Sequence, residues 1–179
     1  FKTTGNDNIF LATRNGMAIC FNENDARAVG RTASGVKAID LADGDYVVGA
    51  EPVREDSKVL LVTDGGYGKC TDLTSFRIQH RGGKGLKAYK ITEKTGNIIG
   101  ISMVNDSEEL IMVTSEGVVI RIRIKDIATT TGRITQGVRL INLDDGVTVV
   151  SMDKISAEDA VEEESEENNT EVTTETTEE

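Results

Sequence analysis

The chain has 179 residues, of which 20 are Lys or Arg and 31 are Asp or Glu, so its formal net charge is −11. As an average, that charge argues against a nucleic-acid partner, because duplex DNA is itself a dense line of negative charge. No apolar run approaches the roughly 18 residues that a membrane-spanning helix needs, and two cysteines with one histidine are too few for a disulfide framework or a zinc site.

The charge is unevenly distributed along the chain. Residues 156–179 hold eleven acids and no base, which leaves 20 acids and all 20 bases in residues 1–155. The first 155 residues are therefore neutral, and the whole net charge belongs to the C-terminal segment. Since the chain begins at Phe1, without Met and without a signal-peptide pattern, we expect a fragment or a processed product, and we expect it in the cytoplasm.

Three similar units follow one another from the N-terminus. An apolar run that ends in a turn glycine occurs three times, and its glycines, Gly16, Gly66 and Gly117, are spaced 50 and 51 residues apart. A second signature, Arg-x-x-x-Gly-aliphatic-base, recurs at 31–37, 81–87 and 133–139, and a third landmark recurs at Gly44, Gly96 and Gly146. Three landmarks in constant order predict an internal repeat, with units at about 1–55, 56–106 and 107–155.

The content of each unit indicates β-structure. The apolar runs are short, rich in β-branched residues and bounded by Gly, Asn and Asp. Asn15-Gly16 and Asp64-Gly65 are typical of hairpin turns, and residues 118–125 alternate with a period of two rather than showing a helical stripe. We predict an all-β, propeller-like array of three blades, each of about 50 residues and four short antiparallel strands.

The middle unit carries the densest positive charge. Between Gly66 and Lys94, seven bases accompany two acids, a local net charge of +5. This stretch contains the heptad Gln79-His80-Arg81-Gly82-Gly83-Lys84-Gly85. Glycines let a backbone approach a flat anionic surface and leave amide N–H groups for phosphate oxygens, while Arg and Lys supply charge. A solvated glycine-rich loop stays open as the alternative, but bases at equal offsets in all three units favour a basic stripe.

Catalytic chemistry finds no support in the sequence. His80 is the only histidine, and no acid lies near it in the chain. A nucleotide-binding loop needs a glycine where Ile78 stands and Ser or Thr where Gly85 stands. Cys20 and Cys70 occupy equivalent places in neighbouring units, so we expect free thiols rather than a disulfide. We therefore predict no catalytic residue, metal ligand or cofactor in this chain.

The C-terminal segment, 156–179, differs in kind from the units. Glu, Thr, Ser and Asn fill it, and Val161 and Val172 are its only apolar residues larger than Ala. Such a composition cannot bury enough surface to offset the entropy of ordering the chain, so we predict a disordered acidic tail.

At these motifs the chain resembles the C-terminal β-pinwheel domain of the DNA gyrase A subunit. The heptad at 79–85 looks like that family's box, Gln-(Arg/Lys)-Arg-Gly-Gly-Lys-Gly, and the motifs 66–69 and 132–139 are similar to its blade motifs. The resemblance covers residues 1 to about 155. It departs at His80, where the box has Arg or Lys, and in placing the box in the second of three units rather than the first of six blades. We therefore expect the last three blades of such a domain, with a degenerate box.

The resemblance implies a DNA-wrapping function without local catalysis. A basic rim would bind and bend duplex DNA for an ATP-driven strand passage. ATP, Mg²⁺, the remainder of the A subunit, the B subunit and their A2B2 assembly would all lie outside this chain. We expect the DNA contacts at the following residues: Arg31, Lys37, Lys69, Gln79, His80, Arg81, Gly82, Gly83, Lys84, Gly85, Lys87, Arg133 and Arg139.

Two alternatives for the function of the chain, and two for the role of its tail, remain open from the sequence. The C-terminal domain of the topoisomerase IV A subunit would bind DNA without conferring negative supercoiling, and a propeller-like protein-interaction module would not bind DNA at all. The tail either competes with DNA for the rim or only keeps the chain soluble.

Overall fold

The computed structural model describes residues 1–156 and shows an all-β chain. The predicted fold class is confirmed, while the predicted tail lies outside the described residues except for Ser156. Among residues 1–156, no helix has the length and apolar character needed to cross a bilayer. The strands are β1 Asn8–Thr13, β2 Met17–Asn22, β3 Val47–Pro52, β4 Lys58–Thr63, β5 Tyr67–Asp72, β6 Leu86–Lys87, β7 Ile98–Val104, β8 Glu109–Thr114, β9 Val119–Arg123, β10 Thr129–Thr130, β11 Val138–Arg139 and β12 Val149–Ile155.

Each unit contributes three long antiparallel strands to its own sheet. The orders are β3-β1-β2 in the first unit, β7-β4-β5 in the second and β12-β8-β9 in the third. A hairpin joins the first two strands of each unit, with Gly16 at φ 86°, Gly66 at φ 77° and Gly117 at φ 81°. In the first hairpin, Gly16 N donates to Thr13 O at 3.1 Å. Glycine is required there because an L side chain is strained in the left-handed region.

The fourth strand of a blade comes from the following unit. Strand β6 of the second unit pairs with β2 of the first, and β11 of the third unit pairs with β5 of the second. Strand β10 also joins β5, in parallel, so the pairing departs from the purely antiparallel expectation. We call the segments that cross over straps: strap 1 is 27–40, strap 2 is 77–90 and strap 3 is 129–142. The predicted four-stranded blade is thus completed by exchange rather than within one unit.

Two hydrophobic clusters lie between neighbouring blades, and a third packs Ile39 of strap 1 against the first blade. Alternate residues of β4 point in opposite directions: Val59 and Leu61 pack toward the first blade, and Leu60 and Val62 pack toward the third. All four are fully buried. In β8 only alternate residues are buried, because one of its faces has no further blade against it in the described chain. Cys20 and Cys70 are buried free thiols, as expected.

Each docked strap contacts the preceding blade through a glycine with no clearance. A Cβ on Gly85 would lie well inside van der Waals contact with the carbonyl oxygen of Ala18, and one on Gly137 would meet Gly68 O in the same way. Gly35, the equivalent residue of strap 1, has nothing within 4 Å of a Cβ, since the described chain has no earlier blade for that strap. The repeated glycine is therefore a docking residue.

We expect Gly85→Ala to lower the free energy of unfolding by about 2–4 kcal/mol, because it combines a strained φ with a clash against backbone. Gly35→Ala is the matched control: φ is 82° at Gly35 and 73° at Gly85, so strain alone should cost Gly35→Ala about 1 kcal/mol. Urea unfolding monitored by circular dichroism measures both. Equal losses in the two variants would contradict the docking role.

Candidate nucleic-acid interface

All the predicted contact residues except Lys69 lie on the straps. Straps 2 and 3 cover the outermost long strands of the first and second blades. In the first sheet the order β3-β1-β2-β6 places strap 2 outside β2. Strap 2 is fixed there by Gln79 N donating to Cys20 O at 2.8 Å and by Ala88 N donating to Gly16 O at 2.8 Å. Backbone bonds hold both ends of the strap, and its central loop, 80–84, bonds to strap 1, where Gly82 N donates to Ala38 O and Asp40 N donates to Gly83 O.

An arginine clamps each docked strap to the preceding one. Arg81 donates from Nη1 to Lys37 O at 3.0 Å and from Nε to Asp25 O at 2.8 Å. Arg133 repeats the first contact one unit later, donating from Nη1 to Lys87 O at 3.3 Å. The same offset in both junctions explains why arginine opens the repeated signature. A guanidinium has five N–H donors, so each clamp keeps donors for a further anion.

The base that closes the signature lies at the same position in successive blades. Lys87 is paired with Met17 at the start of β2, and Arg139 is paired with Tyr67 at the start of β5. Lys37, Lys87 and Arg139 are all exposed. The clamp hydrogen bonds place Arg81 beside the backbone of Lys37 and Arg133 beside the backbone of Lys87. The result is a basic row across both blade junctions.

Acids from the first unit lie among the bases of the heptad. The Asp40 carboxylate accepts from Lys37 Nζ, and this hydrogen bond, the charge of Lys37 and the charge of Lys84 hold the pKa of Asp40 below its usual value. His80 is almost fully exposed, with Nδ1 3.1 Å from Asp25 Oδ2. The sequence showed no acid near His80 because Asp25 lies 55 residues away. No local signal could have revealed this pair.

The heptad glycines do three different things. We expected the Gly82 amide to be available to a phosphate. This expectation is wrong, because Gly82 N donates to Ala38 O at 2.6 Å. Gly85 docks against Ala18. Gly83 is exposed, and only His80 O lies within 4 Å of a Cβ placed there, at 3.8 Å. Gly83 is therefore the glycine at which a flat surface could approach the backbone. Gln79, half-buried, fixes the start of the strap through its N–H.

The structure corrects the prediction that Lys69 contacts DNA. Its side chain is fully buried, and Nζ donates to Arg133 O at 2.5 Å and to Gly132 O at 3.3 Å. Burial, with a smaller contribution from the charge of Arg133, lowers the pKa of Lys69 to about 8. The lysine cannot reach DNA because strap 3 covers it. It supports the loop that carries Arg133 instead.

Two further predicted residues, Lys84 and Arg31, are exposed. Lys84 lies on the central loop of strap 2. Arg31 lies on strap 1 and makes no hydrogen bond or ion pair within residues 1–156. The structure thus collects Lys37, Arg81 and Lys84 at one junction and Lys87 and Arg133 at the next. Arg31 stands apart at the undocked end.

Sequence comparison identifies related proteins. The family described as DNA gyrase C-terminal domain, beta-propeller, matches residues 7–54, 57–105 and 108–156. The A subunit of DNA gyrase from Staphylococcus epidermidis is 46% identical over 159 residues, which is 88% of this chain and 18% of that protein. The corresponding gyrase protein of Ureaplasma parvum is 46% identical over 151 residues, 84% of this chain and 18% of that protein. The chain spans about a fifth of these relatives.

Two solved structures share the architecture. The C-terminal domain of DNA topoisomerase IV superposes with a TM-score of 0.83 at 27% identity, covering 94% of this chain and 53% of that one. A DNA gyrase A C-terminal domain superposes with a TM-score of 0.77 at 26% identity, covering 84% of this chain and 51% of that one. In both cases the chain matches about half of the solved domain.

We expect the buried Lys69 to make stability depend on pH. Its pKa is about 8 in the folded chain against an ordinary 10.5, so between these values the unfolded state binds the proton more readily. The free energy of unfolding should therefore rise by about 3 kcal/mol in total as the pH increases across this window, and it should stay level below the window. Urea unfolding of the wild type and Lys69→Met from pH 7 to 10.5 measures the difference. Parallel curves for the two proteins would contradict it.

We expect the clamp arginines to contribute to stability and Arg31 not to. Arg81→Gln removes two charge-assisted hydrogen bonds and should lower the free energy of unfolding by about 1–3 kcal/mol. Arg31→Gln changes the equivalent residue of the undocked strap and should stay within about 0.5 kcal/mol of wild type. Thermal and urea unfolding compare the pair. An unchanged Arg81→Gln would mean that the clamp bonds contribute nothing.

Proposed function

The chain belongs to the DNA gyrase C-terminal domain family of β-propellers, and on that premise we propose that it binds duplex DNA along its straps, independently of sequence, and bends it. The contacts are the exposed strap bases Arg31, Lys37, Lys84, Lys87 and Arg139 and the half-buried Arg81 and Arg133, with His80 and Gly83 beside them. Gln79, Gly82 and Gly85 position the loop that carries the central bases.

The observation that carries this proposal is the joining of bases across blade junctions. Arg81 contacts the backbone of Lys37, and Arg133 contacts the backbone of Lys87. Sheets packed face to face lie about 10 Å apart, and duplex DNA carries one charge per about 1.7 Å of its axis. Each junction therefore has several phosphates within reach whatever the base sequence. Contacts of this kind position a duplex without reading it.

Bending follows from the placement of the row at the perimeter. Propeller blades are arranged around a central axis, so bases on the outermost strands lie on an arc. A duplex that contacts successive junctions must curve to follow them. Bending a site of 20–30 base pairs costs about 1–6 kcal/mol, and distributed phosphate contacts offset this cost.

The wider setting belongs to the same proposal. In the intact protein the chain would form part of a gyrase A subunit, which would act with a gyrase B subunit in an A2B2 assembly located in the cytoplasm. ATP and Mg²⁺ would be used by other parts of that assembly. This chain would present DNA to them and carry out no bond-breaking step itself.

A second candidate is the corresponding role in topoisomerase IV. The solved topoisomerase IV domain has the higher TM-score of the two reported structures. The 46% identity to a gyrase protein over 88% of the chain favours gyrase. The two differ in outcome, because a gyrase domain would change DNA topology on binding and a topoisomerase IV domain would bind without doing so.

We expect the affinity for a 40-base-pair duplex to fall about 10³-fold between 50 and 200 mM salt if about six phosphates are contacted. The triple variant Lys84→Gln, Lys87→Gln, Arg139→Gln should reduce the slope of log K against log salt by about 2.7, since each lost contact removes about 0.9. Fluorescence anisotropy across a salt series gives both slopes.

The matched control removes three bases from the other end of the strands, Lys2, Arg54 and Lys58, and should keep the wild-type slope. Absence of duplex binding by the wild type would leave the protein-interaction alternative. Equal slopes in the two triple variants would show that binding depends on net charge and not on the straps.

A further inference from the structure

A cationic cluster gathers around one tyrosine at the junction of the second and third blades. Tyr67, at the start of β5, is 6% exposed. Its hydroxyl oxygen accepts from Arg139 Nε at 3.2 Å and from Arg139 Nη2 at 3.0 Å. Lys94 Nζ lies 5.7 Å from the centroid of the same ring, and the Arg139 guanidinium lies 5.5 Å from it. Two cations from different units thus converge on one phenol.

The cluster has unused donors. Arg139 donates two N–H groups to Tyr67 and one to Asn142 Oδ1 at 2.8 Å, which leaves two of its five. With two bonds already accepted by its oxygen, the Tyr67 O–H has no acceptor among residues 1–156. Within the same residues, neither Lys94 nor Arg139 has a carboxylate within ion-pair distance.

The arrangement is specific to this junction. The residue equivalent to Tyr67 is Met17 in the first unit and Val118 in the third, and the residue equivalent to Lys94 is Ala42 or Asp144. The first junction has Lys87 in the place of Arg139, paired with Met17, and so lacks the hydroxyl. Hydrogen bonding by Arg139, and less so by Lys94, also lowers the pKa of Tyr67, which indicates a positive environment.

We propose that Tyr67, Lys94 and Arg139 form an anion site that holds one backbone phosphate of the bound duplex and anchors it at the second junction. This deepens the proposed function and rests on it. The phosphate oxygens would accept from the phenol O–H, the ammonium group and the two remaining N–H groups of Arg139. Asn142 fixes the guanidinium so that these donors are oriented before DNA arrives. The other strap bases then act as interchangeable contacts along the row.

Anisotropy with a 40-base-pair duplex tests the anchor. Lys94→Gln should lower affinity about five-fold at 100 mM salt and reduce the salt slope by about 0.9. Tyr67→Phe keeps the ring and should lower affinity about three- to ten-fold with the slope unchanged, because the lost donor is uncharged. The controls, Lys58→Gln and Tyr46→Phe, should bind like wild type. Wild-type binding by both Lys94→Gln and Tyr67→Phe would overturn the proposal.

Inorganic phosphate separates this proposal from the function on which it rests. In ¹⁵N-labelled chain, phosphate should shift the Arg139 Nε–H signal, and the shift should be lost in Lys94→Gln. If the wild type binds no duplex, the proposed function fails, and a surviving phosphate shift reduces the cluster to a site for small anions. If duplex binds but neither phosphate nor duplex moves the Arg139 signal, the anchor fails while the proposed function stands.

Discussion

The seating of a strap on the preceding blade is the interaction on which this structure depends. A single sheet of three strands cannot bury both of its faces, and its outermost strand leaves a row of backbone groups unpaired. The strap pairs with that strand at β6 and β11, and the absence of a side chain on Gly85 and Gly137 allows the backbones to touch. Each blade is therefore completed by its successor, and the stability of one unit is linked to that of the next.

The same seating determines where the charge lies. A strap that crosses from one blade to the next carries its arginine to the backbone of the preceding strap, so the clamp and the basic row have a common origin. One of the predicted contact bases, Lys69, is buried beneath strap 3 and donates to the backbone of that strap. At the first junction, Asp25 contacts His80 and Asp40 pairs with Lys37. Of the seven bases counted along residues 66–94, six therefore remain at the surface.

Much of this architecture could be predicted from the sequence, because its signals are local. Short apolar runs, turn glycines and constant spacings predict strands, hairpins and three units, and the signature at 81–87 marks the strap. Strand exchange could not be predicted, since pairing between Met17 and Lys87 leaves no trace in either segment alone. Lys69 was misplaced for a related reason: a lysine in a short polar strand is normally exposed, and only the covering strap buries it. The Asp25–His80 contact joins residues too far apart in sequence for any pattern to connect.

The central claim is that the strap bases hold a duplex in a curved path, and DNA topology tests it most directly. A nicked circular plasmid is sealed by ligase in the presence of increasing amounts of the chain, and the linking-number distribution is then measured after protein removal. Because a duplex curved around the straps is constrained while the nick is sealed, we expect a shift of constant sign that grows with the amount of bound chain. An unchanged distribution at concentrations where the duplex is saturated would contradict wrapping and leave binding without wrapping in its place.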